Sequence, residues 1–488
     1  MFHGYSSSHS SDDSVVEEEG TRKKPRSVKA YFSVEDRYRS FFYKQYLSPT
    51  AFTNGIEDDD SRLGLKFRRR FRVPFPVFSE ICSDIEKVMG KKAAFDRSGA
   101  ETIKVNLLVL GSLRVVGSGC TFDAIEELTN VAQETHRCFF HEQFCRWGER
   151  VSPVHIKMPK CPVTARHVLG LYERRGFPGC VGSVDCVHVV WDKCPAGILS
   201  ACKGKGNVPT LVFEVVCSHT RKIMSVSQFF WGTVNDKTIA MADEAFSELR
   251  DEDSFLHGVK WHTKKTIDTD DPDTNMINSS NNIDNNNVTN KNYKIVSVVG
   301  KEVQLEFTGA YFISDGGYHR WKCLVNPYHL QPPGTDLERW STNIESVRKD
   351  IECVFGILKK RFLILKHPVR LHSPHCIQRV FVTCSVLHNI LIDYDGYDKW
   401  NVENVDNSVE YTCLEESAEK RAQQSAYGDY ESGVRSANRR MYGVVMDPDD
   451  NDVAGLCPLE EEAYHARRFN LIKHLKRMLR LRGVNLGM

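Results

Sequence analysis

No stretch of the 488-residue chain approaches the roughly 18 uninterrupted apolar residues that a membrane-spanning helix needs. The polar, charged first residues also lack the apolar core of a signal peptide. Neither membrane insertion nor secretion is therefore expected. Cysteine pairs are missing too: the 16 cysteines are scattered without any C-x-x-C pair. In a chain this long that excludes a disulfide scaffold and points to reduced thiols. The glycine pattern of a phosphate-binding loop is absent, because Lys203-Gly204-Lys205-Gly206 has the wrong spacing and reads as a basic loop. Net charge is lacking as well. With 65 Lys and Arg against 64 Asp and Glu the balance is +1, which on its face argues against a polyanion-binding protein.

What is present changes that last inference, because the charges are segregated along the chain. Residues 61–180 hold 20 basic and 12 acidic side chains and 464–488 hold 7 and none, whereas 396–463 hold 6 and 16. Residues 181–395 are balanced at 24 and 25, and 1–60 hold 8 and 11. Two basic segments thus flank a neutral middle, with an acidic stretch between the middle and the end.

The composition of each segment predicts its organisation. Residues 1–60 read as a largely disordered tail, since the first 30 or so are Ser-rich and charged with few apolar groups to offset ordering entropy. Arg22-Lys23-Lys24-Pro25-Arg26 has the composition of a nuclear import signal and equally of a solvated basic run. Residues 61–180 read as a mainly helical domain. Its first helix interleaves Phe67 and Phe71 with Lys66, Arg68, Arg69, Arg70 and Arg72, the cations we expect to contact DNA. Apolar periodicity then predicts helices over 77–88, 101–116 and 132–146, with a shorter repeat at Phe122, Ile125 and Leu128. Tight connections between three of these give a helix-turn-helix-like arrangement, and an ordinary helical bundle is the competing reading.

From 181 the period changes to that of strands. Val181–Asp192, Thr210–Cys217 and Lys222–Trp231 are rich in β-branched and aromatic residues, with a turn at His219–Arg221. A helix capped at Asn235-Asp236 is predicted to run to about Arg250, and the Asn-rich stretch 266–294 reads as an inserted flexible loop. A hairpin over Lys294–Phe307, a short strand at Tyr311–Ser314 and a long helix over Thr342–Phe362 follow, all within 181–395. This order makes the middle an α/β domain. Residues 396–463 read as an acidic linker, and 464–488 as a basic amphipathic helix whose uses include partner docking and DNA contact ahead of a membrane surface.

Three carboxylates stand out by position. Asp185 lies inside an apolar strand, Asp315 ends a strand before Gly316-Gly317, and Glu352 lies on the long helix. A buried carboxylate costs several kcal/mol without a partner, and a divalent metal is such a partner. Two ions about 4 Å apart suit in-line phosphoryl displacement. Each residue has a simpler reading: Asp185 on an edge strand, Asp315 starting a turn, and Glu352 as a surface glutamate. Glu345, seven residues earlier, occupies a similar helical face and competes with Glu352.

The blocks SVDCVHV, FFWGTVND, FISDGGYHRWKCLVNPY, NIESVRKDIECVFGILKKRFLIL and CSVLHNILID resemble, in order and spacing, those of PIF/Harbinger-type transposases of the plant transposon protein family. FRRRFRVPFPVF and the helical segment to 146 resemble that family's N-terminal region, so the likeness covers roughly 62–395. It implies a ribonuclease-H-like mixed sheet with flanking helices, and an Asp185, Asp315 and Glu352 triad that is both catalytic and metal-binding, with IECVFG selecting Glu352 over Glu345. It further implies two Mg²⁺, or Mn²⁺, as cofactors, transposon ends and target DNA as substrates, a Myb/SANT-like partner protein, homo-oligomerisation and a nuclear location. His188 and Asp236 also fall on recurrent family positions, His188 as a lining or a core histidine and Asp236 as a metal aid or a helix cap. The expected activity is a DDE-type endonuclease and transposase, against which stands a domesticated DNA-binding or chromatin protein without transposition activity.

Overall fold

Cys180–Val190 (β1) combines β-branched residues with an almost fully buried first half, and runs through the centre of a mixed sheet. The computed structural model describes residues 32–90, 102–204, 206–266, 289–290, 292–299, 301–328, 331–397 and 458–481. Thr210–Cys217 (β2), buried along its whole length, pairs antiparallel with β1, placing Asp185 opposite Val215. Ile223–Val226 (β3) and Phe230–Trp231 (β4) both pair antiparallel with β2. A second sheet follows, formed by Lys260–Thr266 (β5), Thr289–Asn290 (β6), Tyr293–Val299 (β7) and Glu302–Thr308 (β8), all antiparallel in the order β5-β8-β7-β6. The chain then re-enters the first sheet. Tyr311–Ile313 (β9) pairs parallel with β1, and Leu324–Val325 (β10) pairs parallel with β9, giving the order β10-β9-β1-β2-β3. The fold is α/β, with a mixed sheet and helices around it.

The two faces of that sheet belong to different cores. On one face Val187, Phe213 and Val215 join the N-terminal helices and the helix Pro374–Tyr394, with Phe213 stacked on Phe381 at 4.3 Å between centroids. On the other, Val181, Val184 and Val216 join the second sheet and the helix Pro458–Leu481. The helical region and the sheet therefore share a core, and the boundary expected at 180 does not separate two hydrophobic interiors. Gly148 permits this: a Cβ there would collide with Thr383, so glycine lets the helix Cys145–His155 lie directly on Pro374–Tyr394. The latter helix is long and apolar enough to cross a bilayer, yet its apolar residues are spent on this interior.

Several expectations need correction. Residues 32–60 are folded, because Phe42 and Tyr46 pack edge-on against Phe71 and Phe67 and bury an aromatic cluster that the tail's charge had obscured; residues 1–31, including the basic run at 22–26, lie outside the described residues. The helix expected from 236 to 250 is broken at Asp243, which ends Asp236–Ala242 and caps Glu244–Arg250. The long helix begins earlier than expected, spanning Asp336–Arg361 with Thr335 as its N-cap. Of the Asn-rich insertion, 267–288 lie outside the described residues, while its edges fall in β5, β6 and β7 rather than loop.

The ends of the C-terminal segments also move. The acidic span 398–457 lies outside the described residues, but 458–463 begin the terminal helix. That helix is not a free basic amphipath. Leu471, Ile472 and Leu475 enter the second core, and Arg467 and Arg468 are buried with them.

Candidate functional site

Asp185 faces out of β1 from a largely buried position, with its side chain 20% exposed. Burial pushes its pKa up to about 6, and the charges of Asp315 and Asp236 add to the effect, while the Cys186 N–H and the Arg348 guanidinium oppose it. Asp315 follows β9, the parallel neighbour of β1. Its Oδ1 accepts from the Gly317 N–H at 2.8 Å, and a Cβ on Gly317 would lie 3.0 Å from that oxygen and 3.7 Å from Asp236 Oδ2. Gly317 thus keeps a gap open between Asp315 and Asp236.

The long helix supplies the remaining charges through Arg348. Its guanidinium donates to Asp185 Oδ2 at 3.0 Å, to Glu345 Oε2 at 3.0 Å and to Glu352 Oε1 at 2.6 Å. Residues 345, 348 and 352 share one helical face, so the arginine collects both competing glutamates. Ion pairing alone does not choose between Glu345 and Glu352. Asp350 points elsewhere and is held by His219 at 2.5 Å and by Arg221 at 3.4 Å.

Asp236 is not the helix cap. Asn235 accepts the Thr238 N–H in that role, which leaves the Asp236 carboxylate facing Asp185, Cys186 and Glu214. Beneath lies a second acidic group that sequence reading missed. Glu214, cross-strand from Cys186, is 1% exposed; its Oε2 meets Cys186 Sγ at 3.9 Å and its Oε1 has no hydrogen-bond partner. Burial, and then the neighbouring Asp243 charge, raise its pKa well above the ordinary value. Burial likewise pushes Asp243 up to about 6. Tyr318 closes this group, 3.4 Å from Cys186 Sγ. Glu214 was findable: it sits in TLVFEVVC, the same setting that singled out Asp185.

The donor set tests whether a metal belongs here. Asp185, Asp315, Asp236, Glu345 and Glu352 offer oxygen only, the preference of hard ions such as Mg²⁺. A buried carboxylate crowded by like charge calls for a cation, and Arg348 supplies one now. The chemistry fits a divalent ion. The spacing is looser, since among the described residues no three His, Cys, Asp or Glu side chains are gathered closely enough to hold one as they stand.

The N-terminal cations are placed differently from one another. Phe67 and Phe71 anchor the helix Arg62–Phe71 in the core. Arg69 is exposed, but Lys66 donates to Gln45, Arg68 grips both oxygens of Asp395 at 2.7 Å, and Arg72 reaches the Gly117 carbonyl. Arg70 is half-buried, with its Nε unpartnered. Farther on, Phe122–Thr129 ends on Asn130 in the left-handed conformation and Gln133–Phe139 begins after two residues. On that second helix Arg137 pairs with Glu134 at 2.6 Å, and just beyond it Arg146 pairs with Glu142 at 2.7 Å. His188 shares a 2.9 Å hydrogen bond with Thr210, and the buried His388 bonds the Arg221 carbonyl at 3.0 Å.

Comparison with known proteins fits this arrangement. Residues 155–256 and 253–398 match the family described as plant transposon protein, which spans half of the chain. Protein ALP1-like of Arabidopsis thaliana is 20% identical over 334 residues, covering 67% of this chain and 71% of that protein. No solved structure matches the chain significantly. With its carboxylate-bearing strands and long helix all inside the matched residues, the chain belongs to the plant transposon protein family, a group of PIF/Harbinger-type transposase-like proteins.

Proposed function

We propose that this protein is a metal-dependent DNA endonuclease and transposase of ribonuclease-H-like fold, acting on transposon ends in the nucleus. One observation carries the reading. Asp185 on the central strand and Asp315 after its parallel neighbour lie on adjacent strands, the Asp315 charge raising the Asp185 pKa, and Arg348 ties Glu352 from the long helix to Asp185. The strand order, three antiparallel strands extended by two parallel ones, supports the fold assignment.

Asp185, Asp315 and Glu352 would hold two Mg²⁺, or Mn²⁺, with Asp236 beside them. Divalent ions there supply activation of a water or a 3′-hydroxyl and stabilisation of the leaving oxygen in an in-line displacement. The chain's own groups set the conditions for this. Arg348 must release Asp185 and Glu352, and is then free to turn toward a DNA phosphate. Arg69, with Lys66, Arg68, Arg70 and Arg72 as they exchange their present partners, and the helix-turn-helix-like segment position the duplex through phosphates. A Myb/SANT-like partner and a homo-oligomer complete the assembly, since the ion-paired helix from 133 offers little free positive charge of its own.

The test is cleavage of terminal-repeat DNA with Mg²⁺ or Mn²⁺. Asp185→Asn, Asp315→Asn and Glu352→Gln should each cut at least about 10³-fold more slowly, since losing a metal ligand removes several kcal/mol of transition-state stabilisation. Undiminished cutting would overturn the assignment. Arg348 itself favours a second reading, in which a domesticated relative keeps its acids neutralised by the arginine and serves as a DNA-binding or chromatin protein. That reading predicts DNA binding without cutting, and no metal uptake by the wild type.

A further inference from the structure

A cavity of about 190 Å³ lies where the C-terminal helix meets the Glu244–Arg250 helix and the turns flanking β9. Arg250, His257, Lys322 and Arg467 line it, with Glu460 as the one acid among its walls and Gly309 at its floor. Three permanent cations therefore face one carboxylate. Arg250 stands 3.6 Å from Glu460 and spreads over the Trp321 ring at 4.3 Å.

Arg467 has no such relief. It is 2% exposed, and its hydrogen bonds go to the Lys322 and Thr308 carbonyls, with the rings of Trp261 and Tyr311 beneath it. Its Nε has no partner at all. Carbonyl dipoles and aromatic faces offset part of the cost of burying a guanidinium, but they bring no compensating charge. Lys322 makes no ion pair among the described residues, and burial followed by the Arg467 charge lowers its pKa, with Glu460 and Glu252 opposing. The two cations converge on Gly309, where a Cβ would lie 3.7 Å from Arg467 Nη2 and 3.8 Å from Lys322 Cε. The φ of +93° at this position is what calls for glycine.

We infer that this cavity binds a small phosphate-class oxyanion, held by Arg467 and Lys322 with Arg250 at the mouth. The site shares no residue with the carboxylates of β1 and the long helix, and does not depend on nuclease activity. Occupied, it ties the C-terminal helix to the connection between β9 and β10. A divalent cation is repelled by the same charges. A continuous DNA strand is a poor fit, because Arg467 lies too deep for a duplex backbone to reach.

The experiment is thermal unfolding of the full chain in inorganic phosphate, in pyrophosphate and in chloride at matched ionic strength. At a tenfold excess over its Kd, phosphate should raise Tm by about 1–3 °C in the wild type and in Lys87→Met, an exposed control far along the chain. Lys322→Met and Arg250→Met should lose that shift, and Lys322→Arg should retain most of it. An equal shift in all variants would mean general anion exclusion and overturn the proposal. So would no shift in the wild type, or a shift abolished by adding short duplex DNA, which would assign these cations to a nucleic-acid backbone.

Discussion

Two places among the described residues bury charge and treat it in opposite ways. On the sheet, Asp185, 20% exposed, meets the Arg348 guanidinium, while Glu214 and Asp243 lie sealed behind it. On the C-terminal helix, Arg467 is sealed among carbonyls and rings with no carboxylate against it. The first place pairs its buried acid with a side-chain cation that also reaches two glutamates. In the second, the uncompensated charge faces a cavity rather than bulk water. Buried charge thus marks both places, and the nature of its partner distinguishes them: a side-chain cation at the first, carbonyls and rings at the second.

The comparison can be broken most forcefully at Arg467. Arg467→Met strands the Lys322 and Thr308 carbonyls, and should cost about 3 kcal/mol of unfolding free energy, read by urea denaturation. A loss under 1 kcal/mol would show that the arginine is a burden rather than an anchor.

A slightly smaller effect is expected from the sealed acids. Asp243 rises from an ordinary 3.8 to about 6 in the folded protein. A raised carboxyl pKa means that the folded state binds the proton more tightly, so the stabilisation is fully present below pH 3.8 and is lost as pH rises through 6. Between about pH 4 and 7.5 Asp243 alone should therefore cost the wild type about 2 kcal/mol of stability. Asp243→Asn keeps the cap on Glu244–Arg250 and should flatten that part of the profile.

The smallest expected change is at Arg348, where a tethered cation competes with a free one. Arg348→Gln should tighten Mn²⁺ binding about tenfold by titration calorimetry, roughly 1.4 kcal/mol. Weakened binding would instead make the arginine a support for the carboxylates.

Much of this was legible in the residues and some was not. β1, β2 and the turn at Arg221 followed from β-branched runs and a break between them, and the long helix from its period. Asp185 was conspicuous because an acid interrupts an apolar strand. Glu214 carries the same mark in β2, but its meaning depends on Cys186 lying opposite and Asp243 arriving from a helix, which strand periodicity cannot supply. Nothing in the sequence sets Arg348 apart from the other cations of its helix; only the fold places Asp185 beside it. The cations of 62–72 were correctly seen to alternate with aromatics, yet only the packing of Pro374–Tyr394 brings Asp395 to Arg68.

By itself the sequence determined the α/β order of elements, the segregation of charge behind a net +1, and the family to which the chain belongs, because these rest on local period, composition and the order of blocks. Tertiary structure alone decided which charges meet. Residues 163 positions apart, Asp185 and Arg348, share a hydrogen bond, and the terminal helix returns across the acidic span to bury Arg467 under β9. The physical reason is that burial and pairing are properties of chain crossings: the same arginine is a solvated cation on one face of a helix and an uncompensated interior charge on the other.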